Sequence, residues 1–206
     1  MRAGKAVERE PGAWQPAGFA WQELGFRLCS APAAAKADDA GRTGNVHLSL
    51  PLDELRYEVA LASRILANEG VLDAFGHVSV RHPAHPDRFL LSRSRSPQLV
   101  EPGDILEYTL DSLPVTKPTV HLFAERVIHG CIYQARPDVM AVCHHHAAAV
   151  LPFCIAGVEI VPVFHLGAAP GATIPFWDQQ DEFGDTNLLV VKPEEGRSLA
   201  RALGAH

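Results

Sequence analysis

The 206-residue sequence has no clustered run of lysine and arginine: 18 basic residues are outnumbered by 24 acidic ones, giving a net charge of −6 at pH 7. Nucleic-acid binders need a concentrated basic surface, so that class is disfavoured. The hydrophobic runs all fall short of the ~20 residues that cross a bilayer. No charged segment followed by an apolar core opens the chain, so a secretory leader is not expected. The cysteines, Cys29, Cys131, Cys143 and Cys154, stand at irregular intervals without a CxxC. They read as reduced thiols in a cytoplasmic protein. No internal repeat is visible. What remains is globular composition, 47% apolar and 20% charged, in a chain long enough for one domain with a sizeable core.

Residues 1–48 mix Pro, Gly, Ala and charge without sustained period, and are expected to form a disordered extension. Residues 49–206 are expected to be the domain. In "LPLDELRYEVALASRILANEG", Leu55, Val59, Ala62 and Leu66 share one helical face, with Pro51 at the start and Gly70 past the end. "GHVSVRHPAHPDRFLLSRSRS" reads as a hairpin, Val78 and Val80 facing one way, His77, Ser79 and Arg81 the other. "DILEYTL" follows as a strand. "TVHLFAERVIHGCIYQAR" reads as a helix stopped by Pro137. Then come a strand at "DVMAVCHHH", a helix at "AAAVLPFCIAG", strands at "VEIVPVF" and "TNLLVV", and a helix opening at "PEEGRSLARALGAH". Strands and helices in this order suggest a layered α/β domain.

The chemistry concentrates in "AVCHHHAAAV", residues 141–150. On an extended chain His144 and His146 lie on one face and His145 on the other, so two imidazoles can reach one ion at ~2.0–2.1 Å. Glu125, His129 and Ile132 form one stripe of the preceding helix. That helix runs directly into the histidine strand, so Glu125 can approach the His144/His146 side. A carboxylate there can ligate a metal or move a proton. His129 reads as a structural hydrogen-bonding residue.

"AERVIHGCIYQARPDVMAVCHHH" resembles the signature of the class II aldolase/adducin family, including the interval from Glu125 to His144. "LASRILANEGVLDAFGHVSVR" resembles its opening helix and substrate loop, and "PGDIL" its next strand entry. The resemblance implies a three-layer α/β/α sandwich, a divalent metal (usually zinc) and a homotetramer with sites at subunit interfaces. It assigns Glu125 as acid/base and metal neighbour, and His144 and His146 as metal ligands.

Sugar-phosphate members of that family hold the phosphate with small residues in the loops matching 74–79 and 92–97. Here His77 stands where asparagine is usual, and the second loop reads "SRSRSPQLV". Arg93 and Arg95 offer guanidinium forks for a substrate carboxylate, with hydroxyls from Ser92, Ser94 and Ser96 in the same loop, and Ser79 is a further substrate-binding candidate. With "DEFGDTNLLV", the loops resemble the decarboxylase-like branch, which acts on hydroxylated aromatic or muconate-type carboxylates. A metal-stabilised enolate is the implied chemistry, with Glu125 or a histidine returning the proton. His77 is expected to bind substrate, and His165 to serve catalysis. The family's third metal histidine follows the helix that "GRSLARALGAH" begins. The chain therefore reads as C-terminally truncated, with weakened zinc binding and an unpaired sheet edge, unless His165 substitutes. The competing readings are a sugar-phosphate aldolase or epimerase and a non-catalytic, adducin-like assembly module.

Overall fold

The computed structural model describes residues 51–168, 171 and 173–204. The expected N-terminal extension and His206 lie outside the described residues. Helix α1 (Leu52–Asn68) begins directly after Pro51, with Asp53 and Glu54 in its first turn, where acidic side chains favour the helix dipole. Gly70, at φ 68°, lets the chain turn out of it. The hairpin follows as expected: β1 (His77–Arg81) pairs antiparallel with β2 (Arg88–Ser92), which pairs antiparallel with β3 (Ile105–Thr109). Helix α2 (Arg126–Ala135) leads to β4 (Ala141–His144), which returns to the other side of β1. The sheet order is therefore β3-β2-β1-β4. Helices α3 (Leu151–Ala156), α4 (Gln179–Phe183) and α5 (Pro193–Leu203) complete the chain.

Period-2 alternation sends the strand side chains to two apolar layers. On one face Leu90, Val100 and Ile105 pack with Val59 and Ala60 of α1, and Val80 joins them. On the other, Phe89, Leu91 and Tyr108 pack with Tyr133 of α2. A third cluster, Ile128, Cys131, Ile132, Val190 and Ala200, binds α2 to α5. Helix, sheet and helix thus form the three layers of an α/β sandwich. Phe89, Leu90 and Leu91 are fully buried, each contributing roughly 1.5–3 kcal/mol. Arg81 fastens β1 to the far end of α2. Its guanidinium donates to the carbonyls of Val139 (3.0 Å), Pro86 (2.8 Å), Tyr133 (2.8 Å) and Arg136 (2.9 Å), and lies 4.8 Å from the Tyr133 ring centroid.

Several elements differ from the sequence reading. The helix expected from Thr119 begins only at Arg126. Before it, Phe123 is buried, the His121 carbonyl accepts from the Ser94 amide, and Arg126 donates to the Phe123 and Ser112 carbonyls. These contacts hold 119–124 in an irregular path. Glu125 consequently sits at the helix entrance, not inside a stripe. β4 ends at His144, so His145 and His146 lie beyond the ladder. "VEIVPVF" and "TNLLVV" form no strands. Among the described residues no neighbouring strand offers them a ladder, and alternation alone cannot satisfy backbone groups. Cys131, Cys143 and Cys154 form no disulfide, and no described helix is long and apolar enough to cross a membrane.

Candidate metal centre

The ladder between β1 and β4 sets the site. His77, first residue of β1, is the register partner of His144, last residue of β4. Their ring centroids stand 4.8 Å apart, edge to face. Glu125 enters from the start of α2, and one candidate ligand atom from each of His77, Glu125 and His144 lies within 4.8 Å of the other two. His146 reaches back so that its ring centroid is 4.8 Å from that of His144. Asp73 holds it there: Oδ2 lies 3.1 Å from His146 Nδ1, while Oδ1 accepts the Phe75 and Gly76 amides at 2.9 and 2.8 Å. The rings of His144 and His146 are thus adjacent, but His146 has left the strand and is not one of the three residues whose ligand atoms converge.

Electrostatics favour neutral imidazoles. Burial, then the neighbouring charges of His144 and His146, push His77 down to about 3. Burial, with His146 and His145 beside it, pushes His144 down to about 4. Burial raises the Glu125 carboxyl above its ordinary value; a hydrogen bond from the Val190 amide to Oε1 (3.3 Å) and the nearby His146 only partly oppose this. Two neutral imidazoles and a carboxylate are a donor set suited to a zinc-type ion. The fit shows in two atoms: His77 Nε2 and His144 Nδ1 are buried without a hydrogen-bond partner. Buried polar atoms without partners are rare and call for an explanation.

Behind His77 stands a polar layer in the core. His77 Nδ1 lies 2.7 Å from His129 Nε2, His129 Nδ1 lies 2.6 Å from Ser79 Oγ, and Ser79 Oγ lies 2.8 Å from the Tyr133 hydroxyl. Phe123 covers His77, ring centroids 4.4 Å apart. Ser79, expected to bind substrate, is therefore fully enclosed between β1 and α2. His77, expected to line the site on the substrate side, is a member of the histidine–carboxylate cluster itself. The shared face of His77 and Ser79, and the i,i+4 spacing of His129 and Tyr133, were legible signals; their meeting depended on which helix covers β1.

The second loop is occupied from within. Arg93 Nε donates to Asp104 Oδ1 at 2.8 Å and Arg95 Nη1 to Asp104 Oδ2 at 2.7 Å. Each guanidinium thus already holds a carboxylate of the chain itself, through one N–H apiece, where a substrate carboxylate was expected. A cavity of about 340 Å³ opens beside the pair, lined by Arg93, Asp104, Lys117 and Thr119 among others, without His77, Glu125 or His144. Ser92 is buried at the end of β2; Ser94 is exposed and gives its amide to the His121 carbonyl. His165 is exposed beyond α3, in ring contact with Phe164, and is not brought to the cluster.

The chain is 38% identical over 148 residues to Decarboxylase tropJ of Talaromyces stipitatus, covering 68% of this chain and 55% of that protein. It is 32% identical over 129 residues to 3,4-dihydroxyphthalate decarboxylase of Arthrobacter keyseri, covering 58% and 51%. The chain spans about half the length of the curated relatives it matches. Among solved structures, L-fuculose 1-phosphate aldolase from Glaciozyma antarctica PI12 superposes with TM-score 0.57 at 22% identity, over 81% of this chain and 63% of that one; this likeness speaks for the fold. The family described as Class II Aldolase and Adducin N-terminal domain matches residues 57–206, the stretch that carries most of α1, the sheet and the histidine–glutamate cluster. With decarboxylases among its relatives and an aldolase-type α/β sandwich as its fold, the chain belongs to the class II aldolase and adducin family.

Proposed function

We propose that this chain provides the metal-binding half-site of a carbon–carbon lyase, decarboxylating a small hydroxylated carboxylate of the kind formed in aromatic catabolism. The observation that carries the reading is the pair of buried, unpartnered ring nitrogens on His77 and His144, with the Glu125 carboxyl beside them. The relatives named as decarboxylases support the reaction class. His77, His144 and Glu125 would hold a divalent ion, zinc by the chemistry of the donors, with His146 adjacent. Such an ion, when bound, supplies Lewis-acid charge for the enolate left as CO2 departs. Glu125 would ligate the ion as a carboxylate while substrate is absent and, leaving it when substrate arrives, would carry the proton returned to carbon; the Val190 amide donates to its Oε1. Asp73 orients His146. His165 and Ser94, both exposed, remain candidates for substrate contact. The working form is a homo-oligomer in the cytoplasm.

Zinc analysis of the purified chain tests this. Wild type is expected to bind one equivalent, and His144→Ala and Glu125→Ala to bind much less. No metal in wild type, or full retention in His144→Ala, refutes the site. For the reaction, CO2 release from hydroxylated aromatic carboxylates is expected; retro-aldol cleavage of sugar phosphates instead would replace decarboxylation by the competing chemistry.

A further inference from the structure

The polar layer behind His77 is closed to water. His77, His129, Ser79 and Tyr133 are all at most 2% exposed, so each donor in the chain must find its acceptor inside it or go without. The three contacts run in sequence, His77 Nδ1 to His129 Nε2, His129 Nδ1 to Ser79 Oγ, and Ser79 Oγ to the Tyr133 hydroxyl. Each neutral group brings one proton, so four donors share three hydrogen bonds. Neutral His129 carries one proton, so three arrangements make all three bonds: one running inward, one running outward, and a mixed third. In the third, His77 and His129 donate inward while the Tyr133 hydroxyl donates to Ser79 and leaves the Ser79 O–H over. In the first and third alike His77 is protonated on Nδ1. In the inward direction His77 Nδ1–H donates to His129, His129 Nδ1–H donates to Ser79, and Ser79 O–H donates to Tyr133. The leftover donor is then the Tyr133 hydroxyl. In the outward direction every bond reverses, and the leftover donor is an N–H at His77 Nε2, aimed into the cluster.

We infer that His77 and His129 donate inward in the metal-loaded protein, making His129, Ser79 and Tyr133 positioning residues that hold His77 in the tautomer whose Nε2 lone pair faces Glu125 and His144. The inference rests on the metal-site reading above and deepens it, because coordination requires that lone pair. The buried Nε2 has no hydrogen-bond partner, so an N–H there would be orphaned, whereas a lone pair there is available to a cation held with Glu125 and His144. The neighbouring ligand candidate is served by the same logic through a different partner, since Asp73 meets His146 at Nδ1 and turns its Nε2 outward. The site thus takes one imidazole oriented by a carboxylate and one by an enclosed histidine–hydroxyl chain.

Ser79 is the residue whose removal separates this role from packing. In Ser79→Ala the Nδ1–H of His129 loses its acceptor. The cheaper tautomer of His129 then carries its proton on Nε2, donates to His77 Nδ1, and leaves the His77 proton on Nε2 where the lone pair is needed. Zinc affinity, measured on the full chain by competition with a chromophoric chelator, is expected to fall about 10–100-fold, as for other partners of metal-bound histidines. Ser79→Thr, which keeps the hydroxyl, is expected to restore it. Ring nitrogen spectra of ¹⁵N-histidine-labelled protein with zinc read the tautomers directly: His77 and His129 should both carry the proton on Nδ1. Zinc bound by wild type and lost in His144→Ala, yet held at wild-type affinity by Ser79→Ala, overturns the inference while leaving the metal site standing. A zinc-loaded wild type with His77 Nδ1 unprotonated does the same, and does not depend on any variant folding. Absence of zinc binding in wild type removes the metal site and this inference together.

Discussion

Asp104 shows how much a single carboxylate holds in this domain. Burial pushes its carboxyl up, but the Glu101 amide and the guanidinium groups of Arg95 and Arg93 outweigh that and leave it below 3.8. A depressed folded value means the stabilisation is complete above 3.8 and is lost as pH falls below it. Asp104→Asn is expected to cost roughly 1–3 kcal/mol at neutral pH, the scale of hydrogen bonds to charged groups. The gap from wild type should narrow as pH drops below the ordinary carboxylate range. Urea unfolding of both proteins at pH 7 and at pH 3 measures it; an equal gap at both values would show that Asp104 acts through shape alone. The same residue shows where sequence reading runs out. Arg93 and Arg95 are the right chemistry for a carboxylate, but spacing along a loop cannot say whether that carboxylate arrives with a substrate or from a turn about ten residues on. His77 is the converse case. Its face on β1 was readable from period-2 alternation, whereas its register partner His144 was not, because a ladder between distant strands leaves no local signal.

At the scale of elements, the approach of α2 to the end of β3 sets where Glu125 enters the site. Gly130 makes that approach possible: a Cβ there would collide with Ser112 Oγ and the Leu110 carbonyl, the latter a backbone atom that cannot swing aside. Gly130→Ala is expected to destabilise the fold by about 1–3 kcal/mol through overpacking. By shifting the start of α2, it should also weaken zinc binding. Gly103→Ala is the control, since nothing lies within 4 Å of its added methyl; it should stay within about 0.5 kcal/mol of wild type. Thermal or urea unfolding of the two variants decides it, and equal stabilities would mean α2 can slide without cost. The legible elements were those whose pattern is satisfied locally: α1 with its proline start and glycine end, and the β1–β2 hairpin with its proline-rich turn. The segments 158–164 and 186–191 have strand-like composition but no ladder among the described residues, and composition carries no information about partners.

For the whole molecule, the distribution of apolar surface is the dominant fact. From α3 onward large side chains stand in the open, with Ile155 85% and Val163 86% exposed, and Phe164, Leu166, Phe176 and Leu188 each more than half exposed. A cavity of about 530 Å³ in the same region is lined by Phe153, Val158, Ile160, Ile174 and Phe176. Apolar exposure on this scale is characteristic of interaction surfaces. β4 adds to it: among the described residues it pairs with β1 alone and lies at the sheet edge, where unpaired backbone groups invite another strand. The net charge of −6 opposes contact between copies at low salt. Screening shortens the Debye length from ~30 Å at 0.01 M to ~10 Å at 0.1 M, which removes much of that repulsion and leaves the apolar attraction intact. Sedimentation equilibrium is therefore expected to show species larger than the 22.3 kDa monomer, in proportions that rise with salt. Ile155→Lys with Val163→Lys should shift the population toward monomer without loss of zinc binding, because neither residue belongs to the His77–Glu125–His144 cluster. A wild type that stays monomeric at all salt concentrations would show that copies of this chain are not what covers the surface. A double variant that loses zinc with its self-association would instead make assembly a condition of the metal site.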